Sequence, residues 1–203
     1  MGKIPEILGE ALKALENYFM SVDDYFEAIR SGVIVDKPFL IDDETFYLEN
    51  PTHPLAKYNL DKRIEGADKI RDFRGKLPKA FIKKIHRYLF DCSGAVRKSL
   101  IMAIIKSAEE ESLEIVRKML ETEERAIKKK RGSPMVKKLA GLTIIKLENP
   151  HYELLEFGLA NYIGETKNGL ANGHGVLYYS HTGDLIFDGE FKDNEFIKGM
   201  KHD

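Results

Sequence analysis

With 203 residues, 43% of them hydrophobic, the chain has enough apolar content for one large or two small globular domains. Basic and acidic residues nearly cancel, 32 against 33, and a net charge of −1 argues against a dedicated nucleic-acid binder. A single Cys excludes an intramolecular disulfide, and no stretch reads as a signal peptide or a membrane span, so a reducing cytoplasm is expected.

The first helix is predicted from Ile4, Ile7, Leu8, Ala11, Leu15, Tyr18, Phe19 and Val22, whose i, i+3, i+4, i+7 spacing lines one helix face. Ser21 and Asp24 suit the start of a second short helix holding Tyr25, Phe26 and Ile29, with Gly32 at its end. Residues 33–55 break the rhythm and read either as two short strands around the acidic turn Asp42-Asp43-Glu44 or as an ordered loop. That acidic turn lacks the ligand spacing of a calcium loop, and His53 lies between prolines in a loop context.

Helical patterning resumes with Leu60, Ile64, Ala67 and Ile70 and stops at Gly75. Pro78 suits the first turn of a helix striped by Phe81, Ile85, Tyr88 and Leu89. Val96, Leu100, Ala103 and Ile104 mark the next helix, followed by Leu113, Val116 and Leu120. Pro134 opens a last one through Leu139, Leu142 and Ile145, before Pro150. Between these last two lies the strongest charge run, Arg125, Lys128, Lys129, Lys130, Arg131, Lys137 and Lys138. It reads either as a contact for phosphate, anionic lipid or an acidic partner, or as a solvated helix end whose cations favour the negative pole of the dipole.

From His151 the pattern turns to alternation, glycines and aromatics. Leu154–Phe157, Tyr162–Glu165, Val176–Tyr179, Leu185–Phe187 and Glu190–Lys192 each suit a short strand. Asn168-Gly169, Asn172-Gly173 and Thr182-Gly183-Asp184 supply turn residues that tolerate positive φ. The unit Tyr162-Ile-Gly164-Glu165 followed by Lys and Asn-Gly restarts as Phe187-Asp-Gly189-Glu190-Phe191-Lys192-Asp193-Asn194, an internal repeat of hairpin length.

This repeat resembles the MORN repeat, with Tyr162, Gly164, Asn168, Gly169, Gly173, Gly175, Gly183, Phe187, Gly189, Phe191 and Gly199 on its pattern. Thr166 stands where an aromatic is usual, and Phe187 replaces Tyr. Asp91-Cys-Ser-Gly-Ala-Val96-Arg97 resembles the turn of a HEAT-type helical repeat, with the helix from Pro78 before it and Lys98–Ile104 behind it. The second resemblance implies that Asp91 and Arg97 are structural. Both families are mainly binding scaffolds, and neither implies a reaction.

The expected fold is therefore α+β. A HEAT-like helical domain over 1–150, with the irregular insertion at 33–55, precedes a MORN-like antiparallel sheet over 151–203. A few hairpin strands are marginal alone, so the sheet is expected to pack on the helices or pair with another copy, with Tyr162, Tyr178, Tyr179, Phe187 and Phe191 carrying that packing. Its final strand would be an open edge, guarded by Lys192, Lys198 and Lys201 yet suited to a homodimer.

No phosphate-binding loop, metal motif or nucleophile–base constellation is present, so no cofactor or metal is expected and non-catalytic protein binding leads. The alternative is association with anionic membrane or another polyanion through Lys128, Lys129, Lys130 and Arg131. A third reading is an enzyme subunit, as in the bilin-lyase relatives of the HEAT family, which would require a deep pocket joining Cys92 to a histidine. His174 and His181 flank one strand without a carboxylate or Cys in the pattern, and His86 reads as a surface or boundary residue.

Overall fold

The computed structural model describes residues 5–18, 60–107, 110–130 and 132–202. The expected short helix after Ser21, the segment 33–55 with Asp42, Asp43, Glu44 and His53, and Arg131 lie outside them.

Six α-helices precede five strands among these residues, as α+β patterning predicts. α1 (Glu6–Tyr18) buries Leu8, Ala11, Leu12 and Leu15 on the face their spacing defines, while Ile7 is half exposed. α2 (Leu60–Arg71) meets α1 closely because Gly66 has no side chain: a Cβ there would lie 2.9 Å from the Ala11 carbonyl oxygen. Gly75 follows at φ +95°, a conformation that ends the connection without strain only for glycine. α3 (Lys79–Ile85) begins after Pro78 and tightens into a 3-10 turn over His86–Phe90, so Phe81, Ile85, Tyr88 and Leu89 all face inward.

α4 (Gly94–Ser107) is apolar nearly all round and occupies the centre, touching α2 and the last helix. A 3-10 turn (Glu110–Ser112) leads into α5 (Leu113–Lys128), which is amphipathic and buries Val116, Met119 and Ala126. α6 (Pro134–Glu148) starts with Ser133, whose Oγ accepts from the Val136 N–H, and with Pro134 in its first turn.

The chain changes to strand between Glu148 and Glu153. β1 (Glu153–Glu156), β2 (Ala160–Lys167), β3 (Leu170–Tyr179), β4 (Leu185–Lys192) and β5 (Glu195–Lys201) form one antiparallel meander in sequence order. Two tight turns have positive φ at both central residues, Asn168-Gly169 and Asp193-Asn194, the geometry that matches the twist of a hairpin. Asn194 also ties its turn to β3, donating its N–H to the Ala171 carbonyl and accepting the Ala171 N–H on its side chain. Asn172-Gly173, expected as a turn, lies inside β3. Gly173 has φ +111° beside the register shift between β2 and β3, so it marks a bulge instead of a reversal. Leu185–Phe187 and Glu190–Lys192 are the two ends of the single strand β4.

The hydrophobic core is continuous across the change from helix to sheet. Ile163, Val176 and Tyr178 join the helical cluster, with Leu154 and Leu185 at its margin. Of the five aromatics expected at this junction, only Tyr178 packs there. Alternation explains the correction: Tyr162 and Tyr179 each neighbour a residue that faces the helices, so they point the other way. Tyr162 and Phe191 form a second, smaller cluster with Ala171, against which Phe187 and Phe196 pack, while Tyr179 is half exposed.

Candidate interaction surface

The outer face of the sheet is built on a row of glycines. Gly164 pairs with Gly175, Gly175 with Gly189 and Gly189 with Gly199, so one glycine from each of four strands stands in line. The missing side chains leave a trench. The Tyr162 ring lies in it, and a Cβ on Gly175 would sit 2.5 Å from the ring carbons Cε2 and Cζ. The Tyr162 hydroxyl donates to the Glu165 carbonyl at 2.9 Å, with the His174 carbonyl oxygen 3.2 Å away. Burial pushes this phenol up to about 12, so it remains a donor at physiological pH. Phe191 meets Tyr162 edge-on at 4.9 Å, and Phe187 stacks on Phe196 at 4.4 Å. These rings pack on their own sheet.

The opposite face carries Ile163, Val176 and Tyr178 against the helices. Tyr178 is also pushed up to about 12 by burial, with the Asn161 amide 3.5 Å from its hydroxyl. Towards the turns at 168–169 and 193–194, this same face runs out beyond the helices. His174 alternates with Val176, and there a groove of about 640 Å³ opens, lined by Leu170, Asn172, His174, Glu190, Lys192 and Ile197 among others. Leu170 and Ile197 are exposed apolar side chains. In the same groove Glu190 Oε1 lies 3.6 Å from His174 Nε2 and 3.1 Å from Lys198 Nζ. The groove thus combines two aliphatic contacts with a charged, hydrogen-bonding floor, the mixture that suits a peptide segment.

The helical layer holds its charges differently. Arg97 binds both Glu123 oxygens at 2.9 Å through Nε and Nη2, while Nη1 donates to the carbonyls of Asp91 and Cys92 at 2.8 and 2.9 Å. Glu123 Oε1 also accepts the Ser133 N–H, which fastens the turn before α6. Asp91 Oδ1 accepts the Ser93 N–H at 2.8 Å, and the Ser93 hydroxyl, 3.4 Å from the Val96 N–H, caps the entry to α4. Arg63 from α2 reaches the same carboxylate, with Nη2 3.2 Å from Oδ1 and Nε 3.0 Å from Oδ2. The second approach is an ion contact off the hydrogen-bond axis. All four side chains are essentially inaccessible to solvent. Burial pushes the Asp91 carboxyl above its ordinary value, and Arg63, the Ser93 amide and Arg97 pull in the opposite direction. This network clamps α2, α4, α5 and the start of α6 together. Asp91 and Arg97 tie the turn before α4 to its helix.

Cys92 is fully buried with Arg63 Nη2 3.3 Å from its sulfur. His86, half buried, lies 3.0 Å from the Ser112 hydroxyl, and burial followed by Lys83 pushes its imidazole below the usual range. His181 is exposed in the turn after β3. Lys128, Lys129 and Lys130 are exposed at the end of α5, and Lys130 has φ +58°. Lys137 pairs with Glu124 at 3.0 Å, and Lys138 pairs with Asp184 across the junction of helix and sheet. The charge run therefore divides into an exposed tip and two lysines that fasten neighbouring elements.

No protein-family model, no curated protein and no solved structure matches the chain. Two members of the buried network, Arg63 and Glu123, were not singled out in the sequence. Their signal is a charge at a core position: Arg63 continues the spacing of Ala67 and Ile70, and Glu123 that of Val116 and Met119. Leu170 and Ile197 carry no comparable signal, because only strand register places them on one groove.

Proposed function

We propose that this chain is a non-catalytic scaffold, a MORN-like sheet carried on a HEAT-like helical layer, that holds a protein partner at the groove over β3–β5. The observation that carries the reading is the groove itself. It lies on the face whose neighbouring part is the helix-packed core, yet it leaves Leu170 and Ile197 exposed around Glu190. A rigid sheet with two aliphatic anchors and a charged floor can bind an extended segment at small cost in its own ordering. A cytoplasmic setting fits the single, buried Cys92, which has no second cysteine in the sequence with which to form a disulfide.

A photoreactive amino acid in place of Leu170 is expected to crosslink one discrete protein in living cells. The same residue in place of Glu121, an exposed position on α5, is expected to give no such product. Equal labelling from both positions would contradict a localised site.

The exposed tip of α5 favours a second reading, peripheral binding to anionic membrane or another polyanion. Lys128 and Lys130 form no ion pair among the described residues, and their charge is available to a surface. Such binding would weaken steeply with salt.

A further inference from the structure

Where the chain changes from helix to sheet lies a further cavity of about 870 Å³, a size typical of small-molecule sites. The connection after α2, the ends of α4 and α6, and β1 enclose it. It shares no lining residue with the groove over β3–β5. Phe73, Leu147 and Leu154 supply its apolar wall, and all three belong to the hydrophobic core or pack against it.

The carboxylates around this cavity are engaged, with one exception. Arg71 holds both Asp72 oxygens, at 2.8 and 2.9 Å, and Lys106 holds Glu156 at 2.8 Å. Glu153 accepts the Thr166 hydroxyl at 2.6 Å, and strand alternation turns it from the face that Leu154 gives to the helices. Glu110 is exposed and forms no ion pair among the described residues. The cations are in the reverse state. Lys106 is paired, whereas the side chains of Arg74, Lys76 and Lys146 make neither an ion pair nor a hydrogen bond among the described residues. Three unpaired cations therefore meet one unpaired carboxylate.

Lys146 is the decisive residue. α2, α4 and α6 all end at this cavity, and the negative pole of a helix dipole attracts cations. That accounts for basic residues here, but not for an ammonium drawn half into the protein without an acceptor. Such burial costs free energy unless a partner meets the charge. Burial, and after it the nearby Lys76, pushes the Lys146 ammonium below its ordinary range. A bound anion would relieve both effects.

We infer that this cavity binds a phosphomonoester, its phosphate against Lys146, Lys76 and Arg74 and its organic part against Phe73, Leu147 and Leu154. The charge selects the class. A phosphomonoester carries about −1.5 to −2 at neutral pH, close to the excess of cations, whereas a carboxylate brings a single charge. The planar Arg74 guanidinium can take two phosphate oxygens together, and each ammonium can take another. This inference does not depend on what the groove over β3–β5 binds.

Calorimetric titration of the full chain with phenyl phosphate, inorganic phosphate and benzoate tests the site. Phenyl phosphate is expected to saturate one site per chain, roughly tenfold more tightly than either of the others. Lys146→Gln and Lys76→Gln should each weaken it by roughly tenfold or more, and Lys128→Gln at the tip of α5 should leave it unchanged. Lys76 is exposed, so its substitution leaves the core intact and keeps the test decisive if Lys146→Gln alters the fold. A second readout separates a ligand-binding lysine from a structural one. Without ligand, Lys146→Met should melt no lower than the wild type, because it removes a half-buried charge that has no acceptor, and phenyl phosphate should raise the Tm of the wild type alone. Absence of saturable phenyl phosphate binding up to about 10 mM, binding that survives both cavity substitutions, an equal loss with Lys128→Gln, or benzoate binding as tightly would each overturn the inference.

Discussion

Glu123→Ala is expected to destabilise the protein by about 3–5 kcal/mol, the usual cost of removing one partner from a buried ion pair. The Arg97 guanidinium would keep its two backbone acceptors and lose both carboxylate oxygens, leaving an uncompensated charge at a site that excludes water. The Ser133 N–H would lose its acceptor as well, so the turn between α5 and α6 should loosen. For a chain of this length such a loss lowers Tm by about 6–20 °C. Arg97→Lys should fare little better, because an ammonium cannot bridge a carboxylate and two carbonyls in one plane. The double substitution Arg97→Met with Glu123→Leu should recover much of the loss, since apolar replacements remove both desolvation costs together. Thermal melts of the two single variants and the double variant check this. Additive losses would mean that the two side chains do not act as a unit.

Gly175→Ala is expected to cost roughly 1–3 kcal/mol, as overpacking does, even though alanine is the smallest possible addition. The new methyl would meet the Tyr162 ring at 2.5 Å, and the ring is held in place by its hydroxyl bond to Glu165 and by Phe191. Tyr162→Leu alone should also destabilise, by emptying the trench over the glycine row. Combined, the two changes should cost less than their sum, because the shorter side chain leaves room for the methyl. The expected readout is a coupling in a double-mutant cycle, with loss of protection in β2 and β3 by hydrogen exchange and little change in α4. Full additivity would show that the ring and the glycine do not share that space.

These two sites show what could and could not be read from residue order. The helical stripes were legible because burial repeats with the helix: Phe81, Ile85, Tyr88 and Leu89 all reach the core. The hairpin turns were legible where two consecutive residues tolerate positive φ, as at Asn168-Gly169. Gly173 was read as a turn because a bulge and a turn ask for the same residue. Only the partner strand shows that the chain does not reverse there. The aromatics were identified as packing residues, but of the five expected against the helices only Tyr178 faces them. That depends on strand register, and a one-residue difference separates Tyr178 in the helical core from Tyr179 in solvent. Asp91 and Arg97 stood out through the resemblance of their turn to that of a HEAT-type repeat. Glu123, which completes the clamp, came from another helix 26 residues from Arg97 and gave only a charge on an apolar face.

The groove bears the functional account, and the basic tip of α5 is its competitor. The decisive comparison is a low-salt pull-down from native lysate with three forms of the full chain. They are the wild type, Leu170→Asp, and a charge-reversed variant with Lys128, Lys129, Lys130 and Arg131 replaced by Glu. The account predicts one protein partner retained by the wild type and the charge-reversed form and lost with Leu170→Asp. Lipid or another polyanion retained by the wild type and Leu170→Asp, and lost only on charge reversal, would contradict it and move the function to the basic tip.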